Sequence, residues 1–167
     1  QYAERLSKCS RSIKDLRCLF GRIPIYAECG GMLLLGQTLT DLNGTAFPMA
    51  GLLPFDAREG ELKIGYRNIE CTQNGLVTTI GEQLVGHEFH RWKLKTNNTN
   101  LNSKNIPKAI ENSDRINSIW HIKGWGVDKV NEGWGNDMLH ASWIHLHWPS
   151  SPAITKRWRS AIDNYIT

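Results

Sequence analysis

Ala27-Glu28-Cys29-Gly30-Gly31 sets a thiol between an apolar run that reads as a strand and a second run that reads as a helix. A nucleophile on so sharp a turn needs small residues two positions before and two after it, because the backbone crowds there. Ala27 and Gly31 meet that need. A helix that starts just after Cys29 aims its amides and dipole at the sulfur, which favours thiolate over thiol. The Gly30 N–H is then in place as an oxyanion donor. A buried structural cysteine is the commoner use of the residue, but the small-x-Cys-x-Gly setting points to nucleophilic catalysis.

Such a thiol needs a base, and His145 and His147 sit at the end of an apolar strand, on one face of it. Catalytic groups of α/β folds gather where strands end. His87 and His90 are three apart on a strand and so lie on opposite faces, and His-Glu-Phe-His lacks the spacing of the helical zinc motif. No metal site is expected. His121 and His140 read as structural.

The elements that must position these groups are legible in outline. Residues 2–20 place Leu6, Cys9, Ile13, Leu16 and Phe20 at helical spacing, ending at Gly21. Pro24 opens a short strand over 23–27, and 32–39 reads as the helix after Cys29. A loop over 41–48 leads to an apolar run at 49–53 and a strand at 63–71. Asn74-Gly75 predicts a hairpin turn into 76–80, and a further strand covers 85–94. Residues 96–108, with five Asn and one Pro, read as a surface loop. Runs 116–122 and 127–130 pair through Gly124-Trp125-Gly126. A last strand over 139–148 leads through Pro149 and Pro152 into a closing helix. The three tryptophans from Trp120 to Trp134 read as hairpin packing and docking surface. Helix, strand, sharp turn and helix form an α/β signature.

The 167 residues are 40% apolar and 22% charged, which suits one globular domain and excludes collagen-like and disordered chains. The net charge of +4 lies wholly in the first 22 residues, where six basic groups face two acidic ones. One basic helix with no stacking platforms beside it is a solvated face, so no nucleic-acid partner is expected. Cysteines 9, 18, 29 and 71 form no metal or disulfide spacing, which points to a reducing, cytoplasmic setting. No apolar run approaches the roughly 20 residues a spanning helix needs, so no membrane role is expected.

Four strings in order carry a family resemblance: Tyr26-Ala27-Glu28-Cys29-Gly30-Gly31-Met32, Phe47-Pro48-Met49-Ala50-Gly51-Leu52-Leu53-Pro54, Gly86-His87-Glu88-Phe89-His90, and Ala141-Ser142-Trp143-Ile144-His145-Leu146-His147-Trp148. Together they resemble the C-terminal glutaminase domain of the cobyrinic acid a,c-diamide synthase family. The resemblance implies a class I glutamine amidotransferase-like, flavodoxin-like layered fold: α/β, with a central mixed sheet flanked by helices. It also implies a parent ligase that amidates two acetate side chains of a corrin acid, with L-glutamine as nitrogen donor and ATP with Mg activating each carboxylate.

Carried onto this chain, the resemblance makes Cys29 the nucleophile, His145 its acid and base, and Gly30 an oxyanion donor. The wider class places a carboxylate two residues after the histidine, where this chain has His147. A Cys–His dyad is therefore expected, with His147 either orienting His145 or packing. Leu33 stands where the wider class favours Gln. Glu88 and His90 are compatible with the glutamine pocket, with contact to a synthetase domain, or with a hydrogen-bonded strand at an interface.

The resemblance further implies that residues 1–167 form a partial glutaminase domain lacking its first strands. The ATP- and corrin-binding P-loop domain would lie in the parent, as would a glycine-rich turn with a second oxyanion donor, so little turnover is expected of this piece alone. No cofactor is expected in the chain itself, and a homodimer of the parent is compatible with the reading. The alternatives are a related synthase acting on hydrogenobyrinic acid or nickel sirohydrochlorin, the sister amidase of cobyric acid synthesis, or a non-catalytic docking module that keeps the fold.

Overall fold

The computed structural model describes residues 2–96 and 116–166. Two helices, α1 (Ala3–Ser7) and α2 (Ser10–Leu19), precede β1 (Ile25–Glu28), α3 (Gly30–Leu35), β2 (Thr38–Thr40), β3 (Ala46–Pro48), β4 (Phe55–Cys71) and β5 (Gln83–Thr96). There follow β6 (Trp120–Gly124), β7 (Val127–Glu132), β8 (Trp134–Asn136), β9 (Leu139–Ser142), β10 (Ile144–Leu146), a 3₁₀ turn (Trp148–Ser150) and α4 (Pro152–Ile166). The α/β class, with mixed sheets and flanking helices, is as expected. The strands divide between two sheets. One has the order β1-β9-β8, with β1 parallel to β9. The other runs β10-β5-β4-β2-β3, with β6 on β4 and β7 on β6.

Several expected boundaries move for identifiable reasons. The helix expected over 2–20 breaks at Cys9, whose ψ of 54° is not helical. The helix expected over 32–39 ends at Leu35, and Thr38–Thr40 is already strand. A Cβ at Gly36 would fall 2.4 Å from the Phe55 ring, so the chain there runs flat against β4 rather than turning again. The loop expected over 41–48 is the turn of the β2–β3 hairpin, in which the Asp41 carboxylate accepts from the Asn43 and Thr45 amides, both at 2.9 Å. The expected strand at 76–80 does not form. Leu76 and Val77 are buried with Ile154 and Trp120, so their apolar character fills a core, and β4 pairs with β5 instead. Residues 97–108 of the expected loop lie outside the described residues, while Thr96 ends β5.

The last strand is split at Trp143, and Glu132 explains the break. Its carboxylate accepts from the Ser142 hydroxyl at 2.7 Å and the Trp143 amide at 2.9 Å, while the Ile144 amide donates to Ser142 Oγ at 2.8 Å. Donors that a ladder would use are spent on side chains, and the chain crosses from the first sheet to the second. The seam so formed carries the site.

The run at 49–53 anchors α3. Amides of Ala50, Gly51, Leu52 and Leu53 donate to the carbonyls of Leu34, Gly36 and Leu35 at 2.7–2.9 Å, satisfying acceptors that a helix end leaves open. Arg17 of the basic α2 holds the same run, its Nε donating to the Ala50 carbonyl at 2.6 Å. Buried Met32, Leu33 and Leu35 of α3 pack with Ala27, Leu53 and Phe55. Among the described residues no helix is long and apolar enough to cross a membrane.

Candidate active site

Cys29 sits between β1 and α3 with φ 50° and ψ −109°, the one non-glycine residue at positive φ among those described. Such backbone costs of order 1–3 kcal/mol and persists where its surroundings enforce it. Here the Cys29 amide donates to the Ser142 carbonyl at 2.8 Å, and the Cys29 carbonyl accepts from Leu33 at 3.1 Å. A Cβ at Gly31 would lie 3.5 Å from that of Ala27, so the two small residues face each other across the turn.

The half-buried sulfur lies 3.8 Å from the Phe89 carbonyl oxygen. Burial pushes the Cys29 thiol above its ordinary value; the Gly30 N–H, which reaches the sulfur, pulls it down, and the charge of Glu28 pushes it up again. Burial therefore opposes the thiolate that the turn into α3 was expected to favour.

His145 lies on β10, directly opposite His87 of β5, and His87 lies opposite Tyr66 of β4. The three form a row across adjacent strands, with the Tyr66 and His87 rings edge to face at 5.3 Å. Glycine makes this approach possible: a Cβ on Gly86 would stand 2.2 Å from Ile144 Cγ2 and 3.0 Å from the His145 carbonyl oxygen. His145 Nδ1 is 3.1 Å from Glu28 Oε2. Glu28 Oε1 accepts from the Leu146 amide at 3.0 Å and from the Tyr26 hydroxyl at 2.5 Å, and Trp148 Nε1 donates to that hydroxyl oxygen at 3.1 Å.

The Gly86-His87-Glu88-Phe89-His90 string alternates between two environments. His87 and Phe89 share the face of His145. Glu88 and His90 turn to the buried face, where Glu88 pairs with Arg67 Nε at 2.7 Å and with His90 Nε2 at 2.8 Å, and His90 stacks on Trp143 at 3.8 Å. Burial would raise the Glu88 carboxyl, but hydrogen bonds from His90 and Arg67 and their charges outweigh it and hold it below the ordinary range. A cavity of about 770 Å³ opens beside Glu88, His90 and Trp143; neither Cys29 nor His145 lines it.

Of the residues singled out by sequence, Cys29 and Gly30 directly follow Glu28, and the Glu28 carboxylate contacts His145. Glu88 and His90 brace the strand from behind. His147 lies past the end of β10, where its carbonyl accepts from the Ser150 hydroxyl at 2.7 Å. The contacts of Glu28 and Tyr26 at this site were not expected; the two residues are two apart on a strand and so share a face, which is a signal present in the sequence. Among the described residues no group of three metal-ligating side chains occurs.

A family model described as the CobB/CobQ-like glutamine amidotransferase domain matches residues 2–153. The chain is 32% identical over 157 residues, 93% of its length, to a cobyrinate a,c-diamide synthase of Gloeobacter violaceus, covering 30% of that protein. It is 30% identical over 165 residues, 96% of its length, to a protein of the same name from Salmonella typhimurium, covering 32% of it. It is also 32% identical over 135 residues, 80% of its length, to a hydrogenobyrinate a,c-diamide synthase of Mycobacterium bovis, covering 25% of it. The chain thus spans about 30% or less of the length of most such relatives.

Proposed function

Because the chain belongs to the family of CobB/CobQ-like glutamine amidotransferase domains, we propose that it is the glutaminase part of a synthase that amidates the a and c carboxylates of a corrin acid. Cys29 attacks the amide carbon of L-glutamine and passes its proton to His145, while the Gly30 N–H holds the oxyanion. The tetrahedral intermediate collapses, His145 returns the proton to the leaving nitrogen, and ammonia departs. Water, deprotonated by His145, then attacks the thioester and releases glutamate and the thiol.

The observation that carries this reading is the strained Cys29 turn, whose amide is held by Ser142 and whose preceding residue, Glu28, contacts His145 on the strand after Ser142. The amidation itself is assigned to an ATP- and Mg-dependent partner domain of the longer enzyme, where the corrin acid binds. The names of the relatives favour cobyrinate, with hydrogenobyrinate as the alternative. Four free cysteines suit a reducing, cytoplasmic setting.

A glutamine-analogue diazoketone tests the reading by intact mass and peptide mapping. Selective alkylation of Cys29, prevented by excess glutamine and abolished in Cys29→Ala, is expected. Equal labelling of Cys9, Cys18 and Cys29 would favour a docking module and overturn it.

A further inference from the structure

Among the described residues, the carboxylate on His145 comes from the residue just before the nucleophile. We propose that Glu28 is the positioning residue of this site, fixing His145 in the tautomer that carries its proton on Nδ1 and leaves Nε2 bare to act as the base. The proposal rests on the glutaminase reading and assigns a role which that reading leaves open.

The geometry supports it at each oxygen. A carboxylate only accepts, so the contact of 3.1 Å from His145 Nδ1 to Glu28 Oε2 requires a proton on Nδ1. The other oxygen is not free to swing, since the Leu146 amide and the Tyr26 hydroxyl both donate to Oε1. The Tyr26 oxygen in turn accepts from Trp148 Nε1, which leaves its own proton for Glu28. Burial, together with the hydrogen bond to Glu28, holds the Tyr26 phenol far above its ordinary value, so it stays a donor. Tyr26 is wedged by His140, stacked on it at 4.7 Å, and by Trp148 edge-on at 5.0 Å. Glu28 thus links β1 to β10, and Cys29 follows it directly. One residue therefore ties the position of the base to that of the nucleophile.

The same contacts predict what an amide would do. In Glu28→Gln the Leu146 amide is a fixed donor at the Oε1 place, so the amide oxygen settles there and the NH₂ faces His145. A donor at that point forces Nδ1 to accept, and the proton moves to Nε2, the wrong side for catalysis.

Two readouts test this on the chain as it stands. Ring nitrogen shifts from ¹H–¹⁵N correlation should show His145 protonated on Nδ1 in the unsubstituted protein and on Nε2 in Glu28→Gln. The rate constant for diazoketone alkylation of Cys29 should fall by about 10²–10⁴-fold in Glu28→Gln, with the half-saturating concentration little changed. Tyr26→Phe, which removes one donor to Oε1 but keeps the ring packing, should give a smaller fall of the same kind, and it serves as the readout if Glu28→Gln fails to fold. An Nε2–H tautomer in the unsubstituted protein overturns the proposal. So does an unchanged alkylation rate in a folded Glu28→Gln, or in Tyr26→Phe where that variant is the readout. Absence of selective Cys29 labelling in the unsubstituted protein would instead sink the glutaminase reading, whatever the tautomer.

Discussion

The backbone amide of Cys29 donates to the carbonyl of Ser142 at 2.8 Å, the last rung of the parallel ladder in which Glu28 registers with Ser142. Beyond this rung β9 ends, the chain changes sheet at Trp143, and His145 follows three residues after Ser142. The positions of Cys29 and His145 are therefore both referenced to one hydrogen bond. Small movements of the seam should act on the chemistry before they act on the fold.

The strain at Cys29 separates stability from activity. Glycine adopts positive φ without a Cβ penalty, whereas alanine does not. Cys29→Gly and Cys29→Ala should both abolish diazoketone labelling at this position. Cys29→Gly should nevertheless resist urea by about 1 kcal/mol more than Cys29→Ala, and equal midpoints would show that the turn is unstrained.

Gly86 should accept no side chain. A Cβ there meets Ile144 Cγ2 at 2.2 Å, so Gly86→Ala must push β10 and its His145 outward, at a cost of about 1–3 kcal/mol. In Gly86→Ala/Ile144→Ala, the loss of stability should be smaller than the sum of the two single losses. Strict additivity in denaturant melts would mean that the strands do not touch as described.

Arg67 and Glu88 are 2% and 3% exposed. Arg67→Met leaves the buried Glu88 carboxylate with His90 alone and should destabilise by about 3–5 kcal/mol, whereas joint replacement of Arg67 and Glu88 by apolar residues should recover much of that loss. The folded carboxyl lies below its unfolded value, so its contribution is complete above the ordinary Glu range and is lost as pH falls through the folded value. Acid titration of stability should accordingly be flatter in the double variant below about pH 4. A slope equal to that of the unsubstituted protein would sink this assignment.

His140, 1% exposed, has its titration pushed down by burial to about 3. The unfolded chain takes up a proton below about pH 6.5 and the folded one does not. Stability is full above that point and falls by roughly 1.4 kcal/mol per pH unit until the folded group titrates near 3. His140→Phe keeps a flat ring against Tyr26 and should flatten the loss between pH 6 and 4. Urea midpoints across that range check it, and an unchanged slope would assign the acid sensitivity elsewhere.

The turn at Cys29 was legible because its requirements are local. A sharp turn needs small neighbours, and Ala27 and Gly31 stand at fixed offsets from Cys29 whatever the rest of the chain does. The strand that carries His145 was legible from its apolar run. Leu76 and Val77 misled because an apolar pair after Asn-Gly looks the same whether it pairs in a ladder or plugs a core. The break at Trp143 was hidden because Glu132, whose carboxylate intercepts the strand's donors, is 11 residues away in sequence.

By itself, then, the sequence determined the α/β class and the sharp strand-to-helix turn at Cys29, both of which follow from spacing along one strand or turn. Only the tertiary structure decided which carboxylate lies against His145, which face of β5 His87 shares with it, and that burial opposes the Cys29 thiolate. Those outcomes depend on contacts between segments some 60 to 120 positions apart, such as Cys29 with Phe89 and Glu28 with His145. They depend also on burial, which opposes the thiolate that the local helix favours. A one-dimensional pattern carries spacing, but desolvation and cross-strand register exist only once the sheets have formed.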